Sequence, residues 1–517
     1  MAVRRRDLLQ TSALAAGSAL APEMSMAAAG PGTYESIGIR PVINCRGTLT
    51  IIGGSQMLPE VRKAMDEASR HFVQIDELMD AVGQRLAAIT GAEYGIVTAG
   101  CAAALAHVTA ACIAGSAPER MQRLPDTSGM KNEVLAPGYS RNEYDHAIRM
   151  TGAKIVEVAD KDRFAAAFTS RTAMVMVLAG PQDSGAFGLP FIAAIAKQKG
   201  IPVIVDAAAE DMTIPNIHLQ RGADIVCYSG GKVLRGPQCA GLALGRKDLL
   251  QAAWINSAPH HTFGRAMKIG REEIMGMLAA VEVWKTRDIQ AEYDAKRQML
   301  RRIAERVGSV AGVKADIRDT KELSNHAARL TVRWETARIP LTGTDVAMLL
   351  YEGSPRIDVG PSNRSQDFPA DSISISGHMM NPGEEKIVGD RLASLLSSPP
   401  KRPQPDTTSE PAANLSGRWD VHIDFVHGSA DHVVLFEQKG SQLDGTHFGE
   451  HVEGNLRGSV NGTGVGFRSA QRFEGTSLRY KFEGTVQGDQ LAGTVNLGEY
   501  GLARWKAVRH KYGDSRG

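Results

Sequence analysis

An α/β architecture of a large and a small domain, followed by an all-β domain, is the fold class this sequence predicts. Three observations predict it. Short apolar runs alternate with amphipathic helical patterns over residues 31–396. A Pro-, Ser- and Thr-rich stretch without periodicity occupies 397–412 and reads as a linker. From 413 to 517 glycine becomes frequent and alternating strands are separated by turn signals. A length of 517 residues is more than one ordinary domain needs.

The N-terminus stands apart from this pattern. Arg5-Arg6-Asp7-Leu8-Leu9, the mild apolar run Ser12 to Leu20 and the small triplet Ala27-Ala28-Ala29 read as a twin-arginine-type export signal over 1–29. The expected location is therefore periplasmic or extracellular, with no membrane insertion after signal removal. The other reading is a basic N-terminus that is never cleaved. No other stretch approaches 18 unbroken apolar residues.

The large domain is expected over 30–295. Leu58-Pro59 opens a helix with Val61, Ala64, Met65 and Ala68 on one face. YGIVTA (94–99), KIVEV (154–158), AMVMVL (173–178), IPVIVD (201–206), DIVCYS (224–229) and AGLALG (240–245) are apolar without two-residue alternation, as strands covered on both faces are. Helical patterns fill roughly 270–310. A small α/β domain is expected over 296–396, with ARLTVRW (328–334) as a strand and helices near 343–352 and 383–396. In the last domain Lys439-Gly440, Asn461-Gly462 and Gly488-Asp489 sit at hairpin positions, which predicts a meander of about eight strands closed into a small barrel.

Composition excludes some roles. A formal net charge of +2, with both signs spread along the chain, is no footprint for nucleic acid or an anionic membrane. The five cysteines, Cys45, Cys101, Cys112, Cys227 and Cys239, form no CxxC pair and no cluster with histidine, so no metal site is expected. They read as small buried hydrophobes.

Three stretches carry chemistry. Asp206 ends the run IPVIV, and a carboxylate at the carboxyl end of a buried strand sits where open α/β sheets bind ligands. Taken alone, it also reads as a helix N-cap. Lys232 follows 26 residues later in YSGGKVLRGPQ, where Gly230 and Gly231 let backbone approach a ligand closely. Arg235 nearby and partial desolvation favour the free amine that imine formation needs. A glycine-flanked lysine alone is more often a surface turn residue. Thr98-Ala99-Gly100-Cys101-Ala102-Ala103 joins a strand to an Ala-rich helix whose first N–H groups are free for a phosphate. Cys101 has the position of a nucleophile, but burial at a helix start is the simpler account. A lysine amine, an acid and an anion cradle together are what pyridoxal 5'-phosphate (PLP) requires. The lysine holds its aldehyde as a Schiff base, and the acid faces its pyridine nitrogen.

These stretches resemble the fold-type I PLP-dependent enzymes, with the aspartate aminotransferase-like fold. Within them they resemble the branch containing selenocysteine synthase and D-glucosaminate-6-phosphate ammonia-lyase. The resemblance covers roughly 36–396. It is dense in PVINCRGTLTIIGGS (41–55), TGAEYGIVTAGCAAAL (90–105), YDHAIRMTGAKIVEV (144–158), IPVIVDAAAE (201–210), GADIVCYSGGKVLRGPQCAGLALGRKDLL (222–250) and GRAMKIGREEIMGMLAAVE (264–282). It implies that Lys232 carries the cofactor, that Asp206 pairs with the pyridine nitrogen, and that Gly100, Cys101 and Ala102 cradle the phosphate with Ser229 assisting. It also implies a homodimer or larger assembly, with Arg265 and Lys268 reaching an anion across the interface; the plainer reading of that pair is a basic surface at a helix start. Relatives show Arg-Gly-His-Arg at the ring-stacking loop, whereas this chain has Pro137-Gly138-Tyr139-Ser140-Arg141. Tyr139 is flat enough to stack but a poorer proton shuttle than histidine near neutral pH. Arg46, Arg235 and Arg356 are candidates for the substrate carboxylate.

The chemistry expected is α-proton abstraction with Lys232 as base, then β-elimination and deamination of an unphosphorylated amino acid or amino-sugar acid. Racemase, aldolase and aminotransferase activities are the alternatives. From another class, a non-catalytic scaffold that binds through its β domain is disfavoured by the complete set Asp206, Lys232 and Gly100.

Overall fold

A computed structural model describes residues 32–359, 371–401 and 409–511. The expected export signal at 1–29 lies outside the described residues, as does part of the expected linker, 402–408. No helix among the described residues is long and apolar enough to cross a membrane.

The first core is built on a seven-stranded sheet. Its order is Tyr94–Thr98, Gly241–Gly245, Ile225–Ser229, Val203–Asp206, Thr172–Leu178, Glu133–Pro137 and Lys154–Val158. All neighbours are parallel except those of Gly241–Gly245, which runs against both. Tyr94–Thr98, Val203–Asp206 and Gly241–Gly245 are buried at every position, which is why their sequences do not alternate. The helix Cys101–Ala114 is buried almost all round, and its alanines let it lie close on the sheet. The strand Glu133–Pro137 was not legible as one. It is short, starts on a charged residue and ends on proline, and its place between two apolar strands makes it a strand.

The second core is a three-stranded antiparallel sheet, ordered Ser372–Ser376, Arg329–Trp334 and Val313–Arg318, under the helices Ile289–Gly308, Gly343–Glu352 and Glu384–Ser397. Two boundaries differ from the sequence expectation. The division expected at 295/296 falls inside Ile289–Gly308, whose Met299, Leu300, Ile303 and Val307 all pack into the small core. The N-terminal strand Val42–Cys45, expected with the large domain, pairs in parallel with Arg356–Val359 and places Ile43 and Cys45 in the small core. A helical period shows that a face is apolar but not which core receives it, and pairing across some 300 residues leaves no local mark.

The C-terminal domain is a closed barrel of eight antiparallel strands from Gly417–Asp424 to Leu502–Arg509. Gly440, Gly462 and Gly488 take φ of 60°, 53° and 58° at the tight turns, the positions expected of them. Trp419, Phe467, Phe482 and Trp505 fill the interior.

Candidate active site

Strand register assembles the site. Asp206 stands opposite Cys227, Ser229 stands opposite Gly241, and Gly241 stands opposite Thr98. The ladder therefore delivers Asp206, the Ser229–Lys232 turn and the start of helix Cys101–Ala114 to one edge of the sheet. At Gly100, φ is 95° and no side chain caps the helix, so the first-turn N–H groups are left for a ligand. Thr98 Oγ1 donates to the Gly100 carbonyl at 2.9 Å and braces the turn. A Cβ on Gly241 would stand 2.3 Å from the Gly100 carbonyl carbon, so glycine is required there for the two backbones to touch. Gly230 and Gly231 are packed similarly against Pro237, Gln238 and Ala240.

Asp206 is 3% exposed, and its Oδ1 accepts from the Ala208 N–H at 3.0 Å and faces the Cys101 Sγ at 3.6 Å. Burial pushes its carboxyl above the usual range, opposed by the Ala208 N–H and the charge of Lys232. Burial, with Asp206 and Cys227 beside it, lifts the Cys101 thiol well above its ordinary value, so it stays a neutral packing group. Among the described residues Asp206 has no salt-bridge partner. A protonated pyridine nitrogen is the cation that would hold this buried carboxylate ionised. The acid, the uncapped helix start and the Lys232 amine thus fit PLP: Asp206 to the ring nitrogen, the Gly100–Ala102 backbone to the phosphate and Lys232 to the aldehyde.

The other expected residues are placed less uniformly. Ser229 is half-buried at its strand end, where its N–H reaches the Ala208 carbonyl at 3.4 Å. Arg235 donates to the Gln56 carbonyl at 2.9 Å from a left-handed backbone with φ of 53°. Arg46 pairs with Asp358 at 3.6 Å, and Arg356 donates to the Tyr351 carbonyl and covers that ring at 4.7 Å. Both are thus engaged within the small domain. Arg265 and Lys268 are exposed ahead of the helix Arg271–Trp284. The Tyr139 hydroxyl donates to the Phe187 carbonyl at 3.0 Å and its ring meets Phe187 edge-on. The ring beside Lys232 is that of Tyr144, 5.9 Å from the Nζ. Burial and Glu143 keep the Tyr144 phenol protonated, with Asp206, Cys101 and Glu499 adding to the effect. The signal for Tyr144 lay in its own segment, YDHAIR.

Sequence reasoning missed a buried cluster behind Asp206. His218 Nε2 donates to Glu210 Oε2 at 2.6 Å, its Nδ1 faces Asp183 Oδ2 at 3.5 Å, and Arg221 reaches Asp183 at 3.4 Å. These contacts tie the turn after Thr172–Leu178 to the loop after Asp206. Separation by 27 and 8 residues gives no local pattern to find. An ion-lined cleft runs along the domain seam past Val233, with Arg235, Arg287, Lys296 and His378 in its wall. Lys232, Asp206 and Gly100 do not line it, so it is a seam between domains rather than the cofactor site.

This constellation, on a mostly parallel sheet with a small domain beside it, defines a PLP-dependent enzyme of the aminotransferase-like fold. The Aminotransferase class-V family matches residues 68–269. The D-glucosaminate-6-phosphate ammonia lyase of Salmonella typhimurium is 32% identical over 376 residues, covering 71% of this chain and 98% of that one. The 5'-C-glycyluridine monooxygenase-decarboxylase of a Streptomyces species is 33% identical over 382 residues, covering 70% and 92%. The L-seryl-tRNA(Sec) selenium transferase of Proteus mirabilis is 25% identical over 284 residues, covering 48% and 57%. A solved structure of D-glucosaminate-6-phosphate ammonia-lyase superposes with a TM-score of 0.62 at 29% identity, over 71% of this chain and 99% of that one. The chain belongs to the PLP-dependent family of D-glucosaminate-6-phosphate ammonia-lyase.

Two predictions follow from this packing. Gly241→Ala forces Gly100 from its place and weakens PLP retention about tenfold, with a stability loss of about 1–3 kcal/mol; fluorescence titration of the apoenzyme and urea unfolding read the two effects. His218→Leu leaves Glu210 buried without its base and lowers stability by about 3–5 kcal/mol. A urea midpoint equal to that of the parent protein would contradict that role.

Proposed function

We propose that this protein is a PLP-dependent ammonia-lyase acting on an unphosphorylated amino-sugar acid, or a simpler amino acid, with a leaving group on its β-carbon. The carrying observation is that Asp206, Lys232 and the uncapped Gly100–Ala102 turn meet at one sheet edge in a chain 32% identical to an ammonia lyase. The twin-arginine-type signal read in residues 1–29 supports the unphosphorylated choice, since such a signal would carry the folded, cofactor-loaded protein away from the sugar phosphates of the cytoplasm. Periplasmic location and a homodimer are part of the same reading.

When bound, the cofactor supplies an electron sink for the pair left on the substrate's α-carbon. Lys232, its amine displaced by that of the substrate, takes the α-proton on Nζ. The β-carbon–oxygen bond then breaks. Tyr144, which keeps its phenolic proton, is the group beside Lys232 able to hand a proton to the departing hydroxyl, so that water leaves. Lys232 would then pass the α-proton on to the Tyr144 phenolate, and its freed amine would retake the cofactor and release the enamine, which water hydrolyses through its imine tautomer to a 2-keto acid and ammonia. Asp206 would hold the ring nitrogen when the cofactor is bound and would itself move no proton.

The test is a screen of D- and L-amino acids and aminosugar acids, D-glucosaminate among them, scored by ammonia, keto acid and oxygen uptake. Ammonia and keto acid should form in equal amounts without oxygen uptake. Lys232→Ala should abolish turnover, and Tyr144→Phe should slow it by about a hundredfold while the bound-cofactor absorbance remains. Turnover that consumes oxygen, or that survives Lys232→Ala, would overturn the assignment.

A further inference from the structure

The barrel is not set apart from the catalytic domain. Its turn between the strands Gly464–Phe473 and Thr476–Gln487 presses onto the segment that follows Gly138. Arg141, whose side chain is only 6% exposed, is held by Asp145 and Glu157 of its own domain and by Glu474 of that turn at 2.5 Å. Arg472 adds a second bond to Glu157 at 3.1 Å, and Arg149 lies over the Phe473 ring at 5.7 Å. At Gly475 a Cβ would stand 2.0 Å from the Asn142 carbonyl oxygen, so backbone meets backbone. Glu474 occupies left-handed backbone at φ 53°, where glycine or asparagine is the cheaper choice. Its carboxylate on a shielded arginine is the compensation.

The segment gripped in this way is the one that places Tyr144 beside Lys232. The turn Gly498–Tyr500 belongs to the same end of the barrel as Glu474, because the strands Gly464–Phe473 and Gln490–Asn496 run the same way. Burial raises the Tyr144 phenol, with Glu499 a smaller contributor, and burial and Glu499 raise that of Tyr500, with Glu143 adding to them. Inside the barrel at this end the lining is polar. His447 bridges His432 at 2.8 Å and Ser469 at 2.6 Å, and the Tyr480 ring stands 4.9 Å from it. Glu450 and Glu499, in turns at this end of the barrel, and Glu143 of the catalytic domain are exposed.

We propose that the end of the barrel carrying Glu474 is the outer wall of the active site, and that Glu474, by pinning Arg141, is the positioning residue that holds Tyr144 across the approach to Lys232. The wall limits the size of what reaches the amine, so the barrel determines specificity in a way the shared catalytic domain does not. This rests on Lys232 holding the cofactor but not on elimination being the reaction, so failure of the lyase assay leaves it standing.

The test uses the full-length holoenzyme and two aminooxy reagents that displace Lys232 from the cofactor: small hydroxylamine and bulky O-benzylhydroxylamine. Their rates of discharging the bound-cofactor absorbance are each divided by the rate with free PLP. The parent protein should disfavour the bulky reagent at least about tenfold. Glu474→Lys, which repels Arg141, should recover about tenfold of that ratio while the hydroxylamine rate changes less than about twofold, since a charge-assisted bond of this kind is worth about a factor of ten. Glu474→Gln should shift the ratio the same way with smaller disturbance of the fold, and it decides the matter if the lysine variant does not fold; Gly475→Ala, which forces the Asn142 carbonyl aside, should shift the ratio too. A parent protein that shows no size discrimination would overturn the proposal. So would variants whose two rates move by one common factor or not at all.

Discussion

The register between neighbouring strands at one edge of the large sheet sets every distance on which the candidate chemistry depends. Asp206 is useful only because Val203–Asp206 is aligned with Ile225–Ser229 so that the acid ends one strand as the next runs on into Gly230 and Gly231. The antiparallel strand Gly241–Gly245 then carries that alignment across to Thr98 and Gly100. A slip by one residue would turn Asp206 to the other face of the sheet, away from the Gly100 turn. Full burial of these strands makes such a slip expensive, so the hydrophobic core is what holds the acid, the amine and the anion cradle together.

Within that frame the ionisable groups divide by burial. Asp206 and Cys101 lie in the same water-free corner, and the outcome differs because one has a cation to meet. The thiol has nothing to gain from ionising and remains a packing group. The carboxylate awaits a ring nitrogen. Glu210 and Asp183 both face His218, so the loop leaving Asp206 is anchored by buried polar contacts. At the outer side the charge pattern changes domain: Arg141 belongs to the catalytic segment and Glu474 to the barrel, and their bond makes two folds into one working surface.

Much of this was legible in the residues. The alternation of apolar runs and helices gave the large domain, and the unalternating composition of the strands showed burial on both faces. Gly440, Gly462 and Gly488 marked three of the barrel's turns because only a positive φ closes them cheaply. Asp206 and Lys232 were readable because each sits at the end of an apolar run. What escaped has a common cause: interactions between segments far apart in sequence. The placing of Val42–Cys45 in the small core, the His218 cluster, and the grip of Glu474 on Arg141 all join residues with no shared local pattern. Tyr139 and Tyr144 lie five residues apart on one irregular segment, and the contacts that separate them, the Phe187 carbonyl for the first and the Lys232 amine for the second, come from distant parts of the chain.

The most direct measurement of the central claim is chemical. Borohydride reduction of the holoenzyme should fix the pyridoxyl group to one amine, and peptide mapping by mass spectrometry should find it on the peptide containing Ser229-Gly230-Gly231-Lys232. A pyridoxyl group on any other lysine, or none on the protein after reduction in the presence of excess PLP, would contradict the account.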